Sequence, residues 1–540
     1  MRKFQIYQDE VGSKGMSFHP HSLVLTHLNL CEQEAKNIPF DLYDQVKTAN
    51  KDFNENWVGH LKSLPIGFRT FFSELAHETD HFNRMLGTSH GLLYQTLEQN
   101  HISTNMGLIA YREKNNFTDR SAPFPLFKPS FFQAQYKDLL NNHYENLKNQ
   151  YASTHFLTGG MNFLLRSLNH SSKGDYYPAI WYALFILVKT WKEHYGNKSR
   201  EFDHDLMNIM NNKNTSPLFF KAENLPTHLS SIHLLEFMAV INQLNYDSMA
   251  GLPTERLVDF IFPKSLTNNV KKPGFSEYNL LFSYWFNRFP IISGKNHHIE
   301  HYSTEFGSWG FFPLELYAAI DLALWPPFGP YGFMNTPGTV DSPVSWLEIQ
   351  PGWRFVQIMH KIKFTKKKFT NFAFADVDEK IETMQELWCK ALNWATPKSI
   401  SNAWLKALNN RKEGESTVID FMSQEKKSTI EYLLDIRNRT PGLSIFNMFK
   451  NNSVIRSFPA YALSTSEEND SGIIVKTTSS DVGLKAEVDY IFQKSIRRLT
   501  YGTQVNIGFS KSSKSKAEQW IKENLTEYWI ENQESLLYWI

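Results

Sequence analysis

The chain has 540 residues, enough for two or three domains' worth of core, and 15% aromatic residues supply large apolar groups to fill it. A formal net charge of +1 argues against a polyanionic partner for the molecule as a whole. Only two cysteines occur, Cys31 and Cys389, far apart and in no C-x-x-C pair, so neither a disulfide framework nor a thiolate zinc site is expected, and reduced thiols in a cytosol are the natural reading.

In chain order, residues 1 to about 60 are mixed and polar, without a strong period. The opening Met1-Arg2-Lys3-Phe4 lacks the apolar core of a secretion signal, so a cytoplasmic location is expected. From about Pro65 to Pro397 helical patterns dominate, including Phe131 to Asn149, Ala179 to His194, His228 to Leu244, Leu314 to Trp325 and Val377 to Trp394. Loops rich in Asn, Ser and Lys separate them. The most apolar stretch, Tyr176 to Val188, is bounded by Asp175 and Lys189 and falls short of the ~20 residues a membrane helix needs. It is expected to be a buried core helix, and no membrane partner is expected. Turn-rich Trp325 to Gly332, with Pro351 to Phe355, is read as loops that wall a substrate cleft. The basic run Lys361 to Phe369 stands without a helix-turn-helix, zinc finger or phosphate loop, so it is read as a solvated face and nucleic acid is not expected as a partner.

After about residue 400 the pattern changes. Ala403 to Arg411 and Ser428 to Ile436 read as helices, and Ser453 to Ala462, Gly472 to Thr478 and Gly502 to Phe509 as short strands, before a closing amphipathic helix from Lys516.

One segment states a chemistry. His77-Glu78-Thr79-Asp80-His81 is an H-E-x-x-H pentapeptide within a helical stretch running from Phe71 to Leu86. On a helix two histidines four residues apart share a face and can offer two imidazole nitrogens to one zinc ion, with Glu78 beside them as a base. At about 100° per residue, Glu74, His77, Glu78, His81 and Met85 cluster on one side and Phe68, Phe71, Leu75, Phe82 and Leu86 form an adjoining apolar stripe. Arg69, Ser73, Asp80, Asn83 and Arg84 fall on the third side, assigned to solvent.

This helix resembles that of the zincin metallopeptidases, in which H-E-x-x-H supplies two zinc ligands and the general base. The resemblance covers about one helix and implies that His77 and His81 bind zinc and that Glu78 is the catalytic base. Zincin motif helices usually keep uncharged residues between the Glu and the second His, and Asp80 departs from that pattern.

A catalytic zinc needs a third protein ligand and one open position. The helical run Leu229 to Leu244 carries a lone carboxylate among apolar residues, and its Glu236-x-x-Ala239 looks like the glutamate helix of the gluzincin branch, where a small residue lets the two helices approach. Glu315, in the apolar run from Phe312, is the alternative third ligand, and Glu236 is preferred. His233 shares the face of Glu236 and is read as a core histidine or a group near the metal. The group His297-His298-Ile299-Glu300-His301 is read as a loop.

Glu74-x-x-His77 and Glu78-x-x-His81 also match the E-x-x-H pattern of di-iron carboxylate bundles, but those draw the two motifs from different helices. Glu74 is therefore expected to orient a ligand histidine from behind. Gly87-Thr88-Ser89-His90-Gly91 matches a G-x-S-x-G nucleophile elbow, yet a helix and not a strand runs into it, so it is read as a turn with Gly87 as a left-handed cap.

The expected protein is mainly α, with a short N-terminal segment over 1–60, a helical zincin-like metallopeptidase core over 61–400 and a smaller α+β region over 401–540. The expected chemistry is zinc-dependent hydrolysis of a peptide or protein substrate. The competing class is a metal-binding interaction protein on the same scaffold.

Overall fold

The computed structural model describes residues 15–19, 24–28, 62–63, 65–98, 229–253, 281, 314–330, 332–333, 350–361, 377–409, 424–442, 460–464 and 473–476. The expected elements at 131–149, 176–194, 502–509 and beyond 516, the 297–301 histidine group and Cys31 lie outside them, as does nearly all of the 361–369 basic run. Most of the described residues are helical. The chain divides into two compact units, one of 1–45, 95–161 and 459–540, the other of 46–94 and 162–458.

The first unit holds a four-stranded sheet. Strands β1 (Gly15–His19) and β2 (Val24–Leu28) pair antiparallel, with His19 opposite Val24 across a short connection. Strands β5 (Ala460–Ser464) and β6 (Ile473–Lys476) pair antiparallel as well, and β2 runs parallel to β5 with Val24 opposite Ala460. The order β1-β2-β5-β6 thus joins strands from the two ends of the chain.

The second unit is built on helices. Helix α1 (Ile66–Gly87) spans 22 residues and so is about 33 Å long. It ends at Thr88, whose backbone is extended and whose hydroxyl donates to the Arg84 carbonyl at 2.7 Å. The same Oγ1 accepts from the Gly91 N–H at 3.2 Å, which makes Thr88 the N-cap of a second helical stretch over 89–98. Gly87 is therefore not a left-handed cap. It is the last residue of the helix, and its bare Cα lets Leu433 come close, since an added Cβ would meet the Leu433 Cβ at 3.2 Å. Gly91 is needed for the tight corner, because any side chain there would run into the backbone of Met85.

Helix α2 (Ser231–Ala250) begins at a capping box in which the Ser230 N–H donates to His233 Nδ1 at 3.0 Å. It ends at Gly251, whose φ of 65° is the left-handed conformation that glycine adopts without penalty, with Leu252 N–H bonded back to the Asp247 carbonyl. Helix α3 (Leu314–Ala323) is apolar except for Glu315 and Asp321 and lies in the core, with Leu316, Ala318, Ala319, Ile320 and Leu322 fully buried. Helix α4 (Pro351–Lys361) starts with Pro at its first position, and the Gln350 side-chain oxygen accepts from the Trp353 N–H at 2.6 Å.

Three helices follow. Acidic Asp378 and Glu379 occupy the first turn of α5 (Val377–Leu392), complementing its dipole. Helix α6 (Pro397–Asn409) is capped by Thr396, whose Oγ1 accepts from the Ser399 N–H. Helix α7 (Gln424–Arg439) packs on α6 and also on α1, while α2 lies along α1, and α3 contacts α4 and α5.

Two expectations about loops are corrected here. Residues 324–330 are buried and form no open wall. They lead into a two-residue hairpin between β3 (Phe328–Gly329) and β4 (Gly332–Phe333), where the Trp404 indole N–H donates to the Phe328 carbonyl at 3.0 Å. Proline-rich turns can pack as core when an aromatic neighbour satisfies their carbonyls. Pro351 to Phe355 is the first turn of α4, in which Arg354 is fully buried with its guanidinium 3.8 Å from the centre of the Trp394 ring.

Candidate metal centre

Helix α1 carries His77 and His81 one turn apart, and their rings meet edge to face with centres 5.0 Å apart. Antiparallel packing of α2 brings Glu236 against both. The Nε2 of His77 is 3.2 Å from Glu236 Oε2, and the Nε2 of His81 is 3.4 Å from Oε1, so one carboxylate spans both imidazoles. The two contacts are made by different oxygens of the one carboxylate, each facing one imidazole nitrogen. The three donor atoms all lie within 4.8 Å of one another, and the group could hold a metal ion.

The electrostatics follow from this crowding. Burial works against the charged imidazolium of His81, but the carboxylate of Glu236, helped by Glu78 and Asp80, overrides it and raises the pKa to about 9. Burial pushes the Glu236 carboxyl up, while the two histidines pull it well below the usual carboxylate range. The side chains keep 10 to 17% of their surface accessible, so a narrow face of the cluster meets solvent.

Of the residues singled out from sequence, the structure brings together His77, His81 and Glu236, with Glu78 half-buried beside them on α1. Glu315 lies in the first turn of α3, and Glu74 is half-buried one turn before Glu78. Neither belongs to the ligand group found among the described residues. That group holds one carboxylate, whereas a di-iron bundle site needs several. His233 is engaged in the α2 capping box, its Nδ1 also 2.7 Å from the Ser230 hydroxyl. Ser89, the would-be elbow nucleophile, is fully buried and donates to the Pro326 carbonyl at 2.7 Å.

The third face of α1 differs from the sequence reading. Ser73, Asp80, Asn83 and Arg84 are buried, and Arg69 is half-buried. A helical projection assumes one covered side, and α1 is covered by both α2 and α7. The charge of Asp80 is met there by a bidentate contact with Arg84, at 2.7 and 2.9 Å, and by the amide of Asn242, whose Nδ2 donates to Oδ1 at 2.6 Å. The Asp80-x-x-x-Arg84 spacing is an i,i+4 pair visible in the sequence. Nothing in the sequence points to Asn242.

No family model matches this chain, and neither a characterised protein nor a solved structure shows significant similarity to it. Among the described residues, no helix is long and apolar enough to cross a membrane.

Proposed function

We propose that the protein is a zinc-dependent peptidase of zincin type, with His77, His81 and Glu236 as the metal ligands and Glu78 as the general base. The observation that carries the reading is the convergence of Glu236 on both histidines of an H-E-x-x-H helix, across 159 residues of chain. Two imidazole nitrogens and a carboxylate are the donor set of one class of catalytic zinc site, which keeps a fourth position open. Zinc held there would supply a Lewis acid for a peptide carbonyl and lower the pKa of water.

The chain's own groups account for the proton traffic. Glu78 follows His77 on the helix and is half-buried, so its carboxylate can reach a water at the face of the cluster that meets solvent. It takes a proton from the attacking water and returns it to the departing amine. Glu236 and the two histidines, fixed by two packed helices, need little reorganisation to present their donor atoms.

The test is Glu78→Gln, assayed on a peptide library beside metal content and thermal melting. Hydrolysis falls by roughly two or more orders of magnitude while zinc and melting temperature persist, because only the proton acceptor has been removed. Full cleavage by a Glu78→Gln variant that keeps zinc would make the pentapeptide a structural metal clip.

A further inference from the structure

We infer that Asp80 and Asn242 form a positioning clasp for the metal centre, fixing the register of α1 against α2 and so the fit of Glu236 to the two histidines. This rests on the metal reading above. Both clasp residues are buried, and each sits on a helix that also carries ligands: Asp80 is next to His81 on α1, and Asn242 lies six residues beyond Glu236 on α2.

The two helices run antiparallel, and side-chain bridges mark their seam. The Arg69 guanidinium donates to the Ala250 carbonyl at 2.8 Å, Gln243 Nε2 donates to Ser73 Oγ at 3.0 Å, Glu236 spans His77 and His81, and Asn242 donates to Asp80. Among these four, the Asn242 contact is the shortest and is fully enclosed.

Apolar helix faces fit one another in several registers, because ridges and grooves repeat along each helix. A slip of one turn moves a side chain by about 5.4 Å, which would carry Glu236 out of reach of both histidines. A directional hydrogen bond between one amide and one carboxylate is satisfied in a single register. Buried polar pairs contribute little to stability compared with apolar residues of the same shape, and register selection is their best attested use.

Two features show that the clasp is kept for its geometry. Arg84 already neutralises Asp80, so Asn242 is not required to compensate the charge. Asn242 also leaves its own Oδ1 buried without a hydrogen-bond partner, which an apolar residue at that position would avoid.

The experiment compares full-length wild-type protein with Asn242→Leu and Asn242→Ala, in both of which Asp80 and Arg84 remain paired. Zinc affinity is read by competition with a chromogenic chelator, coordination geometry by the visible absorption of the cobalt(II)-loaded protein, and folding by thermal melting without metal. Both variants fold, bind zinc at least about tenfold more weakly, a change of about 1.4 kcal/mol, and show an altered cobalt spectrum. Wild-type zinc affinity and an unchanged cobalt spectrum in a folded variant overturn the clasp and leave the metal reading standing. Loss of the fold in both variants also overturns it, by making Asn242 a stability element. A wild-type protein that takes up neither metal overturns the metal reading and the clasp with it.

Discussion

Two of the buried polar clusters among the described residues of the helical unit are built on opposite plans. Where α3, α5 and α7 meet, Arg437 donates to Asp321 at 2.6 Å and to Gln385 Oε1 at 2.7 Å. The Gln385 amide then donates to Asp321 at 2.8 Å and to the Ala318 carbonyl at 3.0 Å. One fixed cation meets one fixed anion, and both are almost wholly excluded from solvent. Between α1 and α2, one carboxylate is shared by two imidazoles, which are neutral or charged according to the protons they hold, and the cluster reaches solvent. A cluster that is already matched in charge has no use for an added cation. A cluster of titratable nitrogens around a carboxylate can exchange protons for one.

The largest effect that separates the two is expected from Arg437→Met. It leaves the Asp321 carboxylate and the Gln385 amide oxygen buried without their cation, a loss of about 3–5 kcal/mol measured by urea denaturation, while zinc content per folded chain stays the same. A loss below about 1 kcal/mol would remove the distinction between a structural cluster and a chemical one.

A smaller effect comes from a histidine outside both clusters. His90 is fully buried with neither ring nitrogen hydrogen-bonded, and burial lowers its pKa to about 3. The unfolded chain takes up a proton at His90 near pH 6.5 and the folded chain only near 3, so the stability from keeping it neutral is complete above 6.5 and lost as pH falls through that interval. The slope from this one group is at most about 1.4 kcal/mol per pH unit. Urea melts between about pH 7 and 5 should show His90→Met losing less stability than wild type on acidification. Identical slopes in the two proteins would contradict this assignment.

The smallest effect is expected at the surface. Lys398 and Glu382 pair at 2.9 Å with the lysine side chain 49% exposed, so Lys398→Ala should change stability by less than about 1 kcal/mol, and less still at high salt.

How legible all this is from sequence depends on whether the signal is local. The apolar period of Leu314 to Trp325 and the acidic start of Val377 to Trp394 mark α3 and α5 to within two residues at each end. The helix with Glu236 is legible too, but the apolar pattern runs out at Leu244, and the structure carries the helix on to Ala250 and a glycine cap. His77 and His81 declare themselves by spacing, and Glu236 by being one carboxylate in an apolar run. What escaped was non-local. One partner of β2, the strand β5, lies near the other end of the chain, and the expected strand Ser453 to Ala462 overlaps the observed one over Ala460 to Ala462. The burial of Asp80 and Arg84 depends on two helices that no periodicity within α1 can reveal.

Zinc stoichiometry tests the central claim most directly. Wild-type protein should carry about one zinc per chain by elemental analysis, and His77→Ala, His81→Ala and Glu236→Ala should each lose most of it, while Glu315→Ala, outside the ligand group, retains it. Absence of zinc from the wild type, or equal zinc in the His77, His81 and Glu236 variants, would contradict the account, and two irons per chain would replace it with a di-iron centre.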